Sequence, residues 1–453
     1  MADFVSLNTA LTALRAARVR IDTAADNVAN AATPGYTRRR VRLAQAPSWE
    51  SPYGWQGSGV RVDDIERLRD LFLDARVRGG RDLLGQLAVR TELLSRAEGA
   101  LAEPDQGLTA PLADLWAAFE ELSLAPTSSA ARIGVLNALR DVVGRVRSVD
   151  DAWAALGRDA LQTLRARVDE VNDLAASLAD VNRAIIASGG KDAALLDRRD
   201  LLVDRLASAI GARALVQEDG TVRVSVRGMA LVDGVVATTL QADPSGAVID
   251  TATGVAISPG GEIGGYRAFL QEDLPALRAK LDAFAAELAD ALNAQHQAGW
   301  VAEGQPGGPL LSYVAGSAAA TLALAVTDPA DLAVSSQPGP PFPVFNGGNA
   351  RALADLRTAL VASGGTDTLD GAARGLAVGL GATLAGMRRA EQTQRELTAA
   401  AEQARQGEHG VSLDEELAGL IEAQHAFDAA ARLMSAVDEA LDVLINRTGM
   451  VGR

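Results

Sequence analysis

Apolar seams at both ends of one long chain leave it few ways to fold. Near the N-terminus Phe4, Leu7, Leu11, Leu14, Ile21, Ala25 and Val28 step by threes and fours, with only Arg18 out of register. That spacing predicts a helix over residues 3–30 carrying a coiled-coil seam. Toward the other end Leu413, Leu417, Leu420, Phe427, Ala431, Met434 and Leu441 repeat the pattern. Such seams can be buried only against each other or against further copies of the same chain. The ends therefore read as assembly devices, and the middle as what the assembly displays.

The first helix has a marked end. Asn30 is a helix terminator, and Thr33-Pro34-Gly35-Tyr36 places Pro and Gly at the central positions of a type II turn. Beyond it a strand near residues 38–43, a Pro/Gly/Trp-rich stretch and the alternating Val60-Arg-Val62 predict an extended hairpin, closing an N-terminal unit over 1–64. Helical spacing then fills 65–211, with Leu161, Leu164, Val168, Val171, Leu174, Leu178, Val181 and Ile185 on one face. Gly189-Gly190 breaks it, and residues 193–210 form its antiparallel partner across a short connection.

From 212 to 263 the period changes to two. Val222, Val224 and Val226 alternate with polar residues, and Asp219-Gly220 and Asp233-Gly234 supply hairpin turns. This reads as a small β insertion that a short linker could replace. Helix returns over 264–300, starting again at Asp273. Residues 301–345 carry too many breakers for a helix, among them Pro338-Gly-Pro-Pro341, and form a loop-rich excursion. Helix resumes over 346–410, and 411–453 is the C-terminal coiled-coil helix, whose start is specified by the capping-box pair Ser412 and Glu415. The expected fold is thus mainly α with a small β insertion: elongated, terminal helices paired as a coiled coil, a central helical bundle and an inserted β domain.

A formal net charge of -15 over 453 residues repels nucleic acid and anionic lipid. The charge is also unevenly placed. Residues 1–42 hold seven Arg against three acids, including the cluster Arg38, Arg39, Arg40 and Arg42, whereas 411–453 carries a net -5. Opposite signs on two ends that must pair favour the correct partner and register. Absence of cysteine excludes disulfides and thiolate chemistry. The N-terminus, with Asp3 and a periodic apolar pattern, does not read as a secretory signal peptide, and no apolar run is long enough for membrane insertion.

With those elements in place, Asn27 to Tyr36 resembles the Asn-x-x-Asn-x-x-Thr-Pro-Gly-Tyr signature of the flagellar axial proteins, the family of rod, hook and hook-associated subunits. Gly410-Val-Ser-Leu-Asp-Glu-Glu416, Leu441-Asp-Val-Leu-Ile-Asn446, Leu195-Leu-Asp-Arg-Arg-Asp-Leu201 and Asn293-Ala-Gln-His-Gln-Ala-Gly299 are similar to the hook-associated branch that joins hook to filament. The resemblance implies a ring of about eleven subunits at that junction, with the hook protein and a second hook-associated junction protein as neighbours. It also implies export in an unfolded state by the flagellar type III apparatus, with a chaperone holding the C-terminal helix. Another axial subunit, of hook or distal rod, and a non-flagellar coiled-coil scaffold are the competing readings. Long helical segments separate the junction subunit from hook subunits, whose bodies are mostly β.

No catalytic or cofactor constellation emerges. His296, His409 and His425 lack the spacing of a zinc site and read as helix-surface histidines. Asp414-Glu415-Glu416 answers the dipole of a helix start rather than pairing for acid–base work. Gly190-Lys191 lacks both flanks of a phosphate loop, with Ile185 and Asp192 at the required positions, and Gly57-Ser58-Gly59 is a turn before a strand.

Overall fold

A computed structural model describes residues 2–51, 54–101, 107–338 and 346–443, with the side chains of 2–5 and 51 left out. The chain runs α1 (Ala2–Asn30), a hairpin of β1 (Arg39–Gln45) and β4 (Val60–Arg67), and between them the smaller pair β2 (Trp49–Ser51) and β3 (Gly54–Gln56). The helical body begins with α2 (Leu71–Leu101), α3 (Thr109–Leu124), α4 (Ser129–Ala187) and α5 (Ala193–Ile210). Ile65, expected to open that body, instead lies in β4, paired across from Val41. A bulge between Arg42 and Leu43 lets the hairpin continue, and the helix starts only where Asp70 accepts the amides of Phe72 and Leu73.

Helix α4 holds the body together. Its 59 residues reach roughly 90 Å, and its buried face serves two cores in succession. The first half packs with α2, α3 and four later segments: α7 (Leu274–Gln297), α9 (Gly348–Asp355), the start of α10 (Leu369–His409) and the excursion after α7. Trp116, Phe119, Trp153 and Phe284 are buried there. The second half, from Leu164 to Ile185, packs with α5 and with the β insertion.

The insertion comprises two antiparallel sheets. The first is β5 (Arg213–Val216), β6 (Val222–Val226), β7 (Met229–Asp233) and β8 (Val236–Ala237); the second is β9 (Leu240–Ala242), β10 (Val248–Asp250) and β11 (Ala256–Ile257). Between β6 and β7 the turn is Arg227-Gly228, both at positive φ, a pairing not visible in the alternation. Two asparagines of α4 clamp the sheets. Asn182 donates to the carbonyls of Val222 and Gly234 and accepts from the Val222 amide, while Asn172 pairs with both backbone groups of Leu240.

Val222, Val224, Val226, Leu231 and Val248 fill the core that α4 and α5 share. These contacts predict, against the sequence-based expectation, that a linker cannot replace the insertion, because the apolar faces that α4 and α5 share with it would be left open. Excision of residues 213–257 in favour of a Gly/Ser linker should abolish cooperative thermal unfolding of the body. A melting transition within a few degrees of the parent would refute this.

Helix α6 (Gly261–Ala268) follows, then one wide π turn (Phe269–Asp273) that passes into α7, so helix resumes about ten residues before Asp273. In the excursion β12 (Leu311–Ser312) pairs with β13 (Ala323–Leu324) around a single turn, α8 (Ala318–Thr321). Leu310, Leu322, Leu332 and Val334 join the main core, which stitches this segment to the body. Positions 339–341 of the proline-rich run lie outside the described residues. The last helix, α11 (Leu413–Asp442), returns along α1, and 444–446 of the expected C-terminal block also fall outside the described residues.

His296 is not on a helix surface. It is fully buried, its Nδ1–H donates to the Gly308 carbonyl at 2.6 Å, and its Nε2 accepts the Ala333 amide at 2.8 Å, pinning the excursion at two points. That geometry requires the neutral ring, and burial holds its pKa below the ordinary value despite the Gly308 carbonyl. A depressed folded pKa contributes stability that is complete above pH ~6.5 and is lost as the pH falls from there through the folded pKa. The melting temperature should therefore fall more steeply between pH 7.5 and 5 in the parent than in His296→Gln, and equal slopes would contradict this account.

Candidate assembly interface

The two terminal helices are antiparallel: Arg20 reaches Glu422 at 3.1 Å, and seven residues on Asn27 reaches Glu416 at 2.9 Å. Their contact face differs from the expected seams. On α1 the buried positions are Ala10, Ala16, Ala17, Ala24 and Asn27; on α11 they are Glu416, Ala423, Ala430 and Val437, each seven residues from the next. This is a heptad contact built on alanine. Leu7, Leu11, Leu14, Ile21 and Val28 flank it half-buried, as do Leu420, Met434 and Leu441. Ala25 is exposed, and the side chain of Phe4 lies outside the described residues.

Leu413 and Leu417 are each 51% exposed and Phe427 37%, with Ile421 exposed beside them. The physical reason is spacing. Large residues at alternating threes and fours look like a seam in sequence, but a pair of helices approaches most closely along its smallest side chains, and alanine every seventh residue wins that face. The apolar stripe of α11 is left pointing outward.

Asn27, 1% exposed, anchors the pair. Its Nδ2 donates to the Arg39 carbonyl and to Glu416 Oε2, each at 2.9 Å, and its Oδ1 accepts the Arg39 amide at 3.0 Å and the Tyr36 hydroxyl at 2.8 Å. Both donors and both acceptor sites are used. Burial, aided by the charge of Asp26 and opposed by Arg39, pushes the Tyr36 hydroxyl up to about 12, so it remains a donor. Arg39 stacks on the Tyr36 ring at 4.9 Å and pairs with Asp26 at 2.6 Å.

The signature turn follows locally. Asn30 donates back to the Asp26 carbonyl and accepts from the Thr33 hydroxyl, Tyr36 N–H closes on the Thr33 carbonyl, and Pro34 precedes Gly35 at φ +83°. A side chain at Gly35 would also stand 3.2 Å from Leu201, so the turn seats directly on α5.

The arginine cluster is spent within the chain. Arg38 binds Glu415 and Glu416 at 2.6 Å each, Arg40 binds Glu66 and Arg42 binds Asp63. Ser412 caps the Glu415 amide, but the Glu415 carboxylate goes to Arg38 rather than back to Ser412, so the capping box is half made. Glu416 is likewise no simple dipole partner: it is 6% exposed and held by Asn27 and Arg38.

Behind the turn the Leu195–Leu201 block supplies a second polar layer, with no signal in the periodicity to announce it. Arg67 binds Asp197 and Asp200, Arg69 binds Asp74 and Asp200, and Asp204 holds Arg78 and Arg405, both at 2.7 Å. Burial would raise the Asp204 carboxyl, but Arg78 and Arg405 bring it below the usual carboxylate range. Burial and the neighbouring Arg69, Arg67 and Arg78 bring Arg199 down to about 9, still charged at neutral pH. Among the described residues no group of His, Asp or Glu side chains is disposed to hold a metal, and no helix is long and apolar enough to cross a membrane. The arrangement is a structural lock between chain ends and body.

Comparison with known proteins agrees with this geometry. The description "Flagella basal body rod protein" matches residues 7–37, and "Flagellar basal body rod FlgEFG protein C-terminal" matches 407–447, the two strands of the lock. Those ends define the class: a structural subunit of the flagellar axial type. "Flagellar hook-associated protein FlgK helical domain" matches 94–311. Flagellar hook-associated protein 1 of Bacillus subtilis is 30% identical over 99% of both chains, and that of Salmonella typhimurium is 30% identical over 66% of this chain and 58% of its own. The solved structure of the flagellar hook junction protein FlgK from Burkholderia pseudomallei shares the fold, with a TM-score of 0.65 and 16% identity, over 75% of this chain and all of that one. The chain belongs to the flagellar hook-associated protein 1 family.

Replacing Asn27 by Ala strands the Arg39 backbone pair and one oxygen of Glu416 and leaves the Tyr36 hydroxyl only its 3.3 Å contact with Asp26, at a cost on the order of 3 kcal/mol. Hydrogen exchange should show loss of protection in α1 and α11 with α4 unchanged. Unaltered protection in the terminal helices would remove Asn27 from its anchoring role.

Proposed function

We propose that this chain, a structural subunit of the flagellar hook–filament junction, works there by closing its own termini through alanine and presenting the leftover apolar stripe of α11 to further copies in a ring. The exposed stripe Leu413, Leu417, Ile421 and Phe427 carries this reading, since the α1–α11 pair is complete without it. Continuous apolar surface on a helix whose other face is already buried is the mark of an interface. Hook protein on one side and a second hook-associated junction protein on the other are the proposed neighbours, in the extracellular flagellum. Export in an unfolded state through the flagellar type III apparatus, with a chaperone on the C-terminal helix, belongs to the same proposal. It is supported by the absence of cysteine and by the availability of that helix face.

The relatives are structural flagellar proteins, and the polar clusters here are paired with one another in a way that suits mechanical continuity rather than turnover. The match to the helical domain favours the junction subunit over a hook or rod subunit.

Leu417→Asp or Ile421→Asp should leave the melting curve of the isolated chain within about 0.5 kcal/mol of the parent, because both residues are more than half exposed. Burial of an unpaired carboxylate at each subunit contact should nevertheless abolish assembly. Purified variants added to cells lacking this subunit should fail to restore filament growth on their hooks, and regrowth at the parental level would exclude the stripe from the contact.

A further inference from the structure

The terminal unit of α1, the hairpin and α11 joins the body covalently at only two places, residues 68–70 between β4 and α2 and residues 410–412 between α10 and α11. One residue touches both connectors. His409, the last residue of α10, accepts the Arg38 amide on its carbonyl at 3.1 Å, while its Nε2 accepts the Asp70 amide at 2.6 Å. Arg38 in turn accepts the Leu68 amide at 2.8 Å. The imidazole thus ties the outgoing connector to the returning one, next to the turn Thr33–Tyr36.

A ring nitrogen that accepts an amide hydrogen carries no proton, so the neutral ring with its hydrogen on Nδ1 is the form built into this joint. We propose that His409 is a pH-responsive pin of the elbow, closed while the imidazole is neutral and released when protonation sets Nε2–H against the Asp70 N–H.

The surrounding charges allow this. Asp74 on α2 is 4.0 Å from Nδ1, which favours the cation, but it is engaged by Arg69 at 2.5 Å and approached by Arg405 at 3.6 Å. Asp70 spends its carboxylate on the amides that start α2. Facing from α5, Asp200 is taken by Arg67 and Arg69, and Asp204 by Arg78 and Arg405, with Arg81 of α2 shared between Asp204 and Glu402. Arg38 has its guanidinium on Glu415 and Glu416. Burial first, then Arg69 and Arg405, outweigh Asp74 and Asp70 and keep the His409 pKa below the ordinary 6.5. Of the side-chain types gathered at this joint, histidine is the one whose ordinary pKa lies between pH 5 and 7.5. The histidine is thereby the group at this joint that changes state between pH 7.5 and 5.

The chain has no cysteine, so spin labels can be placed at Ala166→Cys on α4 and Ala429→Cys on α11 without other changes. Pulsed dipolar spectroscopy on the full-length monomer should give one narrow distance distribution at pH 7.5 and at least a twofold wider one at pH 5, with a midpoint below 6.5. His409→Gln, whose amide oxygen can accept the Asp70 hydrogen at any pH, should stay narrow at both. His409→Arg, permanently charged, should be wide already at pH 7.5. His296 and His425 remain in every variant, so widening of His409→Gln at pH 5 to the parental extent would overturn the pin. A parent that stays narrow, or a narrow distribution in His409→Arg, would do the same.

Discussion

The hydrogen bonds of Asn27 are the constraint on which the assembly end of this protein depends. One amide side chain binds both backbone groups of Arg39, the hydroxyl of Tyr36 and the carboxylate of Glu416. Helix α1, the signature turn, the start of β1 and the start of α11 are thereby fixed to one point. Inside a buried site such a network is stable only when complete, since each unmet group would carry its full desolvation cost. Completeness is what makes the register unique: a slip of α11 by one residue would break the bond of Asn27 to Glu416 together with the pair that Arg38 makes with the same carboxylate. The alanine contact beyond it supplies close packing but little specificity.

From that point rigidity passes into the body by charge. The turn rests on Leu201, and the hairpin arginines reach the acids of α5. Arg67 and Asp197 are both nearly buried, so they form a lattice in which each charge has several partners, a different case from exposed ion pairs of small net value. A structural subunit of the hook–filament junction has to hold its ends to its body without hinging freely. A polar lattice with defined geometry does this, and it can also be loosened by a single protonation where an apolar joint could not.

The body has its own unifying element in α4, which spans both cores. One half of its buried face is covered by helices and the excursion, the other by α5 and two small sheets. The sheets are thus part of the folding unit, although their sequence looks like an ornament between helices.

Periodicity and turn chemistry were enough to locate α1, α5 and α11, the switch to alternating strands at 212, the end of α1 and the antiparallel pairing of α4 with α5, because these are decided by neighbours within a few residues. The family could be read from Asn27–Tyr36 and the C-terminal block for the same reason: those residues build a local turn and cap. What the sequence could not decide was which face of each terminal helix is buried. Leu7, Leu11, Leu413 and Leu417 are spaced for a seam, and only the approach of α11 to α1 shows that Ala10, Ala17, Ala24, Ala423 and Ala430 form the contact. The burial of His296, the clasp of His409 and the coverage of α4 by Val222 and Val224 likewise join distant residues, 37 positions apart for His296 and Ala333 and 339 for His409 and Asp70. Local patterning determines which elements form; only tertiary packing, through the size and charge of side chains brought from distant parts of the chain, determines which of their faces meet.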